Sequence, residues 1–405
     1  MTIRRNLRHL LCALCYASAL AARGDEAPDL APDFSAWLSQ FKQEALAQGI
    51  SRATLDAAFT DAQPLPQVLE KDQSQPEFIE TFWTYLDKRL SPQRLEWGQA
   101  ALLERKALLD EIEARYGVPA SVLVAFWGLE TNYGDYLGDF PIPAALATLA
   151  FNSRRSGFFR RELLQALRLI EAGDVAAADM KGSWAGAMGQ VQFMPSTYLR
   201  YAVDGDGDGH KNLWSSLPDA LNSAAHYLRE IGWRPGEPWG REVRLPDGFD
   251  WESARLSVKK RNKDWAALGV RQAEGSPLPD ADLAGALVLP QGHAGPAFLV
   301  YRNFEVILGW NRSLNYALAV GHLSDRLLGL PALHHGRDAD NRPLSRDQVM
   351  DTQCLLAARG LDVGDLDGVP GPRTREAIRA WQKAAGLPVD GYASVGLLEQ
   401  LQAAP

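Results

Sequence analysis

Cysteine is scarce in this sequence, with three residues in 405. Two of them, Cys12 and Cys15, fall in an apolar stretch near the amino terminus that is typical of an export signal. Once such a signal is cleaved, Cys354 is left alone and an internal disulfide is excluded, so stability has to come from the size of the core. Cys354 stands among apolar positions of "DTQCLLAARG", where we expect it to pack in a helix.

Clusters of basic residues and long apolar runs are also missing. The formal net charge is −8, and the one short basic cluster is "VKKRNK" at 258–263. A protein with this charge balance has no general attraction to nucleic-acid phosphates, so we expect no nucleic-acid partner. The apolar stretch "LLCALCYASALA" is too short to span a bilayer comfortably, so we expect no transmembrane helix in the mature protein.

The amino terminus has the parts of a secretory signal. Arginines in "MTIRRNLRH" precede the apolar stretch, and small residues such as Ala19 and Ala21 suit a cleavage site. A lipoprotein would carry its lipid on Cys15, but Leu14 is larger than the small residue expected before such a cysteine. We therefore predict a signal peptide over residues 1–24 and a periplasmic protein, and we favour cleavage over lipoprotein anchoring.

The rest of the chain alternates between two kinds of pattern. Apolar residues at helical spacing dominate from residue 34 to about 233, and again before residue 330. Between about 235 and 310, the β-prone runs "REVRLP", "AGALVLP" and "AFLVYRNFEVILGW" are punctuated by glycine and proline. We therefore predict a mainly α fold with a small inserted antiparallel β-sheet.

The last sixty residues predict a separate small unit. Residues 331–343 are typical of a polar linker bounded by prolines, and two amphipathic helices follow it. Asp367-Gly368 and Asp390-Gly391 are turn dipeptides. Through "DGVPG", "GLPVDG" and the apolar spacing around them, residues 344–405 resemble the three-helix peptidoglycan-binding domain. That resemblance implies cell-wall glycan as the ligand of this unit.

One glutamate is placed for chemistry in "VAFWGLETNYGDY" (124–136). Glu130 follows an apolar run, so desolvation disfavours its charged form. It also lies in the last turn of a predicted helix, where the negative end of the helix dipole opposes a carboxylate. We expect both effects to raise its pKa, as a general acid near neutral pH requires. The plainer alternative is a partly exposed helix residue without a special role.

The stretch "GSWAGAMGQVQFMPSTY" (182–198) is typical of a loop that lines a substrate. Its glycines allow close approach of the backbone, while Ser183, Gln190 and Gln192 can hydrogen-bond a sugar or an acetamido group. We expect it to enter a helix at Met194–Pro195. Taken alone, this stretch fits equally well a structural turn whose polar side chains have no part in binding.

An acidic loop follows in "DGDGDGHKNLW" (204–214), with aspartates at positions 1, 3 and 5 of an EF-hand-like pattern. Ser215 stands where that pattern has a bidentate glutamate, so a ligand further along the chain has to close the site. A metal-free loop rich in Asx turns is the alternative. The predicted calcium ligands are Asp204, Asp206, Asp208, the carbonyl of His210, and Asp219.

Three motifs together carry a resemblance to a known family. "FWGLETNYGDYLGDFP", "GSWAGAMGQVQFMPSTYLRYAVDGDGDG" and "WNRSLNYALAVGHLSDRL" resemble the membrane-bound lytic murein transglycosylase B family, glycoside hydrolase family 103. The resemblance covers about residues 34–330 and implies a catalytic domain over 25–330 with a lysozyme-like helical core. It implies an enzyme, a carbon–oxygen lyase that cleaves the β-1,4 bond between N-acetylmuramic acid and N-acetylglucosamine. Its product is a 1,6-anhydromuramoyl end.

This resemblance also explains why one carboxyl group is enough. A hydrolase needs a second carboxylate to activate water or to act as nucleophile. When the 6-hydroxyl of the sugar attacks its own anomeric carbon, the substrate supplies that partner. The resemblance then implies Glu130 as the catalytic residue, and five residues as substrate contacts: Ser183, Gln192, Tyr227, Asn311 and Tyr316. Trp310 stands where relatives can have a tyrosine, which puts a hydroxyl contact there in doubt.

The resemblance implies calcium as a structural ion, since some members of the family bind it, and no organic cofactor. Enzymes of cell-wall synthesis or turnover are possible protein partners. Three alternatives stay open: a muramidase that hydrolyses the same bond, a non-catalytic scaffold that binds the wall, and a calcium-regulated interaction protein. Products of peptidoglycan digestion distinguish them, because anhydro ends lack one water relative to reducing ends.

Overall fold

A computed structural model describes residues 31–74, 80–336 and 342–404 of the chain. The predicted signal peptide and part of the predicted linker lie outside these residues. Within the described ranges, no helix combines the length and the apolar character needed to cross a bilayer.

Helices make up most of the described chain. Those of the first two thirds are α1 Ala31–Ala47, α2 Arg52–Ala58, α3 Pro66–Ser74, α4 Phe82–Arg89, α5 Pro92–Glu104, α6 Lys106–Tyr116, α7 Ala120–Thr131, α8 Ile142–Phe151, α9 Ser156–Ala172, α10 Pro195–Tyr201 and α11 Leu217–Glu230. Those that follow are α12 Asn262–Ala267, α13 Arg302–Trp310, α14 Leu314–Leu327, α15 Arg346–Ala357, α16 Pro372–Ala384 and α17 Val395–Ala403.

Helix α7 lies at the centre of the main core. Every residue from Ser121 to Gly128 is buried, because α5, α6, α11 and α14 pack around it. A helix covered on all sides needs no polar face, which explains the uniformly apolar "VLVAFWG". At its end, Asn132 adopts the left-handed conformation (φ +52°) and its N–H caps the carbonyl of Gly128. Glu130 thus sits in the last turn, at the edge of the core.

Seven short strands are described: β1 Phe140–Pro141, β2 Lys181–Gly182, β3 Gly240–Arg244, β4 Lys259–Arg261, β5 Arg271–Gln272, β6 Ala284–Val288 and β7 Ala297–Val300. The last five form an antiparallel sheet in the order β4-β6-β7-β3-β5, with Leu287 opposite Leu299. A second core, centred on Trp265, covers one face of this sheet. The predicted small antiparallel sheet is therefore confirmed.

Two sequence patterns were assigned incorrectly. The run "AFLVYRNFEVILGW" is a strand only as far as Val300, and α13 begins at Arg302. Its Phe304 and Ile307 are buried at helical spacing, and this packing outweighs the β propensity of the run. The apolar spacing at 95–117 predicts one helix that ends at Gly117, but this stretch forms two helices, divided at Arg105 (φ −105°, ψ 16°).

The three carboxy-terminal helices, α15, α16 and α17, enclose a small core of their own around Leu356 and Ile378. Gln353 and Gln382 each bind one of the two Asp-Gly turns through their side-chain amides. The second turn rests on the sheet region, where the Asp390 carboxylate accepts hydrogen bonds from the backbone and the ring of His293. Cys354 lies half-buried on α15, in a helix as its apolar neighbours predict.

Candidate active site

Two side-chain donors from distant parts of the chain hold the carboxylate of Glu130. The indole N–H of Trp310, the last residue of α13, donates to Oε1 at 2.9 Å. The hydroxyl of Tyr316, in the first turn of α14, donates to the same oxygen. Burial, followed by the charge of Glu130, raises the pKa of Tyr316 well above its ordinary value, so this hydroxyl keeps its proton. The carboxyl group is thereby fixed in one orientation.

Aromatic rings line the surroundings of this carboxylate. The ring of Trp310 lies 4.5 Å from that of Phe126, 5.3 Å from that of Tyr227 and 5.4 Å from that of Phe193, measured between centroids. Tyr227 packs in turn on Tyr201 at 4.6 Å, and its hydroxyl donates to the Gly309 carbonyl at 3.4 Å. Sequence reasoning did not predict that the Trp310 indole N–H would hold the Glu130 carboxylate.

The glycine-rich loop is fastened to the end of α7. Thr131, next to Glu130, donates its hydroxyl proton to the Gln190 carbonyl at 2.8 Å. The Trp127 indole donates to the Gln190 side-chain oxygen at 2.9 Å, and the Gln190 amide donates to the Trp214 carbonyl at 3.3 Å. Gln190 thus holds the loop in place instead of facing a substrate. The predicted entry into a helix is correct, since Met194 is the N-cap of α10.

The predicted polar contacts in this loop are partly committed to its own backbone. Gln192 adopts the left-handed conformation (φ +49°), and its amide nitrogen donates to the Gly189 and Leu137 carbonyls at 3.0 and 3.1 Å. Ser183 accepts the Ala187 N–H on its hydroxyl oxygen at 3.0 Å. Contacts with a sugar would therefore use the Gln192 carbonyl oxygen and the Ser183 hydroxyl proton.

The predicted contact residues fall into two groups. Tyr316 touches Glu130 directly, and Tyr227 reaches it through the ring of Trp310. Phe193, which follows Gln192, packs on the same ring. Asn311 is exposed at the end of α13, where its side-chain oxygen accepts the Ser313 N–H at 3.0 Å. The functional roles of all these residues stay predictions.

Three carboxylates of the acidic loop converge on one point. Oxygen atoms of Asp204, Asp206 and Asp219 all lie within 4.8 Å of one another. Asp219 is 1% exposed, and its two oxygens accept N–H groups of Gly205, Asp206 and Asn212. Backbone hydrogen bonds, first that from Gly209, hold the pKa of Asp204 below its ordinary value.

The two remaining predicted ligands are placed differently. The Asp208 carboxylate lies outside the group of three described above and accepts the N–H of His210 at 2.8 Å. His210 is exposed, and ligation by its carbonyl stays a prediction. Carboxylate oxygens are ligands that calcium prefers, so the three converging residues fit such an ion.

Comparison with known proteins agrees with this geometry. Residues 33–325 match the transglycosylase SLT domain family, and residues 345–401 match a peptidoglycan binding domain family. The membrane-bound lytic murein transglycosylase B of Escherichia coli K12 is 33% identical over 290 residues, which cover 68% of this chain and 78% of that protein.

Solved structures give the same result. SltB3 from Pseudomonas aeruginosa, in complex with NAG-anhNAM-pentapeptide, is 48% identical with a TM-score of 0.87, covering 91% of this chain and 99% of that one. Slt35 from Escherichia coli, in complex with calcium, is 31% identical with a TM-score of 0.62, covering 72% and 92%. The chain therefore belongs to the SLT transglycosylase family as a lytic transglycosylase related to the murein transglycosylase B of Escherichia coli, with a peptidoglycan-binding domain at its carboxy terminus.

Proposed function

We propose that Glu130 is the only acid and base in the reaction, which cleaves the β-1,4 bond between N-acetylmuramic acid and N-acetylglucosamine. The supporting observation is that the Trp310 indole and the Tyr316 hydroxyl both donate hydrogen bonds to Glu130 and fix this carboxyl group among aromatic rings. Hydrolysis by paired carboxyls would use a second carboxyl to activate water or to act as nucleophile.

We assign a different task to each oxygen of the carboxyl group. Oε1 accepts hydrogen bonds from both the Trp310 indole and the Tyr316 hydroxyl, so its lone pairs are occupied and it is a poor position for a mobile proton. We therefore assign the mobile proton to Oε2. In the first half of the reaction it moves to the glycosidic oxygen, the bond from that oxygen to the muramoyl C1 breaks, and the N-acetylglucosamine part leaves with a 4-hydroxyl.

The second half restores the enzyme without water. The 6-hydroxyl of the muramoyl sugar forms a bond to C1 while its N-acetyl group stabilises the intermediate. The proton of the 6-hydroxyl returns to Oε2 of Glu130. Atoms balance, since one bond to C1 is exchanged for another and the proton is borrowed and returned. The product has a 1,6-anhydro ring, which is the form of the sugar that SltB3 of Pseudomonas aeruginosa holds in its complex.

Mass spectrometry of digested peptidoglycan tests this mechanism. We expect muropeptides lighter by one water molecule than the corresponding reducing sugars, and no ¹⁸O incorporation from labelled water. Products with reducing ends that carry ¹⁸O would identify a hydrolytic muramidase instead. Binding of sacculi without any soluble product would identify the non-catalytic scaffold.

Calcium in the acidic loop is a second part of the proposal. Asp204, Asp206 and Asp219 would hold the ion, and relief of their mutual repulsion would stabilise the start of α11. We assign the ion a role in stability and none in proton transfer, because ligated carboxylates are poor proton donors. The calcium complex of Slt35 from Escherichia coli supports this assignment.

Export is the third part of the proposal. Peptidoglycan lies outside the cytoplasmic membrane, so a chain that acts on it has to be translocated, and the sequence at residues 1–24 is typical of the signal for that step. Fractionation of cells and intact-mass measurement of the mature protein test this. A mass that includes a diacylglyceryl group on Cys15 would favour a lipoprotein over cleavage after small residues.

A further inference from the structure

The backbone is strained where α7 ends, directly after Glu130 and its neighbour in the chain. Asn132 and Tyr133 follow one another in the left-handed conformation, with φ values of +52° and +63°, and Gly134 continues it at +84°. Asparagine tolerates this conformation, but a bulky side chain such as tyrosine rarely adopts it. In the described part of the chain, four non-glycine residues have a positive φ. Three of them, Asn132, Tyr133 and Gln192, lie in this turn or in the glycine-rich loop. Strain of this kind persists where surrounding contacts impose it, and it gathers at functional sites.

The phenol of Tyr133 fills a slot between two helices. Its hydroxyl donates to the Arg94 carbonyl of α5 at 2.8 Å, and its ring meets that of Trp127 edge-on at 5.6 Å between centroids. Gly98 of α5 and Gly128 of α7 form the sides of the slot. A Cβ on Gly128 would lie 2.6 Å from the ring, and a Cβ on Gly98 would overlap the hydroxyl oxygen. Both helices therefore lack a side chain where this one tyrosine has to fit.

The Tyr133 hydroxyl is not itself an acid for the reaction. Burial outweighs the opposing charge of Arg94 and raises the pKa of Tyr133 above its ordinary value. The hydroxyl therefore keeps its proton, which the hydrogen bond to the Arg94 carbonyl uses. An effect of Tyr133 on the reaction has to pass through the residues that it holds in place.

The strained turn also connects α7 to the glycine-rich loop. The Gly134 N–H donates to the Thr131 hydroxyl oxygen at 3.1 Å, and the Thr131 hydroxyl donates to the Gln190 carbonyl at 2.8 Å. A Cβ on Gly134 would lie 2.7 Å from the Gln190 side-chain oxygen, so the turn and the loop are in close contact. Because Thr131 follows Glu130 directly, the position of the turn sets where the carboxyl group stands relative to the loop.

We propose that Tyr133 is a positioning residue for the reaction. Its phenol, held between α5 and α7, keeps the turn in its strained conformation, and this turn fixes Glu130 relative to the glycine-rich loop. Trp310 and Tyr316 orient the carboxyl group at its tip, whereas Tyr133 fixes the backbone that carries it. This inference rests on the proposed function, because it takes Glu130 as the acid and base.

Steady-state kinetics on a soluble glycan, well below the melting temperature, tests the proposal. Tyr133→Phe keeps the ring and removes the hydrogen bond to the Arg94 carbonyl. We expect kcat to fall about fivefold, the worth of one such hydrogen bond, while KM stays unchanged. Tyr133→Ala removes the ring as well. Its kcat should fall about 100-fold, because a shift of about 1 Å in a reacting group is enough for a loss of this size.

Tyr301→Phe is the matched control. Tyr301 is also buried, and its hydroxyl donates to the Asn262 side-chain oxygen at 2.9 Å in the second core, which covers the sheet. Both phenylalanine variants should lower the melting temperature by about 1–2 °C, because each loses one hydrogen bond. Only Tyr133→Phe should lower kcat, whereas a residue that serves folding alone would lower stability without changing the rate of the folded enzyme.

Gly128→Ala tests the slot from its other side. Alanine favours a helix more than glycine does, so the change should not weaken α7. Its methyl group would lie 2.6 Å from the Tyr133 ring and displace it. We expect kcat to fall about tenfold when Tyr133 is present, and to change little in the Tyr133→Ala background, where the slot is empty.

Three results would each overturn the proposal: an unchanged kcat in Tyr133→Phe, an equal loss of kcat in Tyr301→Phe, or fully additive losses from Gly128→Ala and Tyr133→Ala. A raised KM with an unchanged kcat would also do so, because it would make Tyr133 a residue for binding alone. Glu130→Gln, measured alongside, separates this inference from the proposed function. If Glu130→Gln keeps its activity, the proposed function fails. If it is inactive while Tyr133→Phe is fully active, only the role of Tyr133 fails.

Discussion

The carboxylate of Glu130 and the carboxylates of the acidic loop are held by different kinds of hydrogen-bond donor. Two aromatic side chains donate to Glu130, which is a single carboxyl group at the edge of the main core. Backbone N–H groups donate to Asp204 and Asp219, which have a third carboxylate within 4.8 Å. A single carboxyl can exchange a proton with a substrate, whereas three that repel one another call for a cation. The difference shows that neighbours, more than residue type, decide what a carboxylate does.

Glu130→Gln should have the largest effect on activity, because it removes the carboxyl group from this site. Glutamine can still accept hydrogen bonds from Trp310 and Tyr316 on its amide oxygen, but it has no proton to give to the glycosidic oxygen. We expect the initial rate of muropeptide release from sacculi to fall about 10²–10⁴-fold. The melting temperature should change little.

Glu104→Gln is the matched control, since Glu104 also ends a helix but is exposed. Its rate should equal that of the unchanged protein. Retention of more than half of the activity by Glu130→Gln would remove this residue from the mechanism.

Tyr316→Phe and Trp310→Phe each remove one donor to the same oxygen and should have smaller effects. A hydrogen bond to a charged group is worth about 1.5–3 kcal/mol, so Tyr316→Phe should lower kcat about 10–100-fold with little change in KM. Trp310→Phe should lower it less, because indole is the weaker acid and the ring contacts with Phe126 are largely kept. Steady-state kinetics on a soluble glycan measures both.

The double variant sharpens this prediction. If the two donors act only by orienting one carboxylate, their effects should not add, since losing either already frees the group. Fully additive losses would instead mean that each side chain contacts the substrate independently. An unchanged kcat in Tyr316→Phe would contradict the role of this hydroxyl.

Asp219→Asn should break the acidic loop while sparing the chemistry. The buried carboxylate accepts three backbone N–H groups, and an amide can turn only one oxygen toward them. We expect a loss of about 2–4 kcal/mol in the free energy of unfolding. Calcium at a hundred times its Kd should add about 2.7 kcal/mol to the unchanged protein and little to the variant.

Thermal unfolding with added calcium, or with a chelator, measures both effects. Asp208→Asn is the matched control, because the Asp208 carboxylate lies outside the converging group. It should keep most of the calcium response. A melting temperature that does not change on addition of 10 mM calcium would exclude an ion in this loop.

Much of the fold could be predicted, because local signals and packing agree there. The pattern at 158–173 predicts α9, and glycine at 173 ends it in the left-handed conformation (φ +78°). The division at Arg105 could not be predicted, since neither glycine nor proline marks it. The same holds for the start of α13, where "FEVIL" suits a strand as well as a helix until Phe304 is known to be buried.

The sequence points to separate residues of the candidate site but not to the contacts between them. An apolar run before Glu130 is visible in the sequence, whereas the donors Trp310 and Tyr316 lie 180 and 186 residues away. No local sequence pattern predicts that an indole N–H will donate to this carboxylate. Gln190 shows the converse, because a residue suited to bind sugar instead joins the loop to α7 through Trp127.

Asp325 tests whether a half-buried carboxyl with an indole partner is sufficient for chemistry. Its Oδ2 accepts the Trp239 indole N–H at 3.2 Å, and burial raises its pKa from 3.8 to about 6. The raised pKa favours folding below pH 4, and this contribution is lost as pH rises through 6. Asp325→Asn does not ionise and can still accept that hydrogen bond.

The variant should therefore gain about 1–2 kcal/mol in the free energy of unfolding at pH 8, relative to its difference from the unchanged protein at pH 4. Urea unfolding at the two pH values measures this gain, and muropeptide release should stay unchanged. A loss of stability that is the same at both pH values would show that the Asp325 carboxyl is not neutralised by its burial. A loss of activity without a loss of stability would show that Asp325 also takes part in the reaction. Glu130 would then not be distinguished by its position in the cleft.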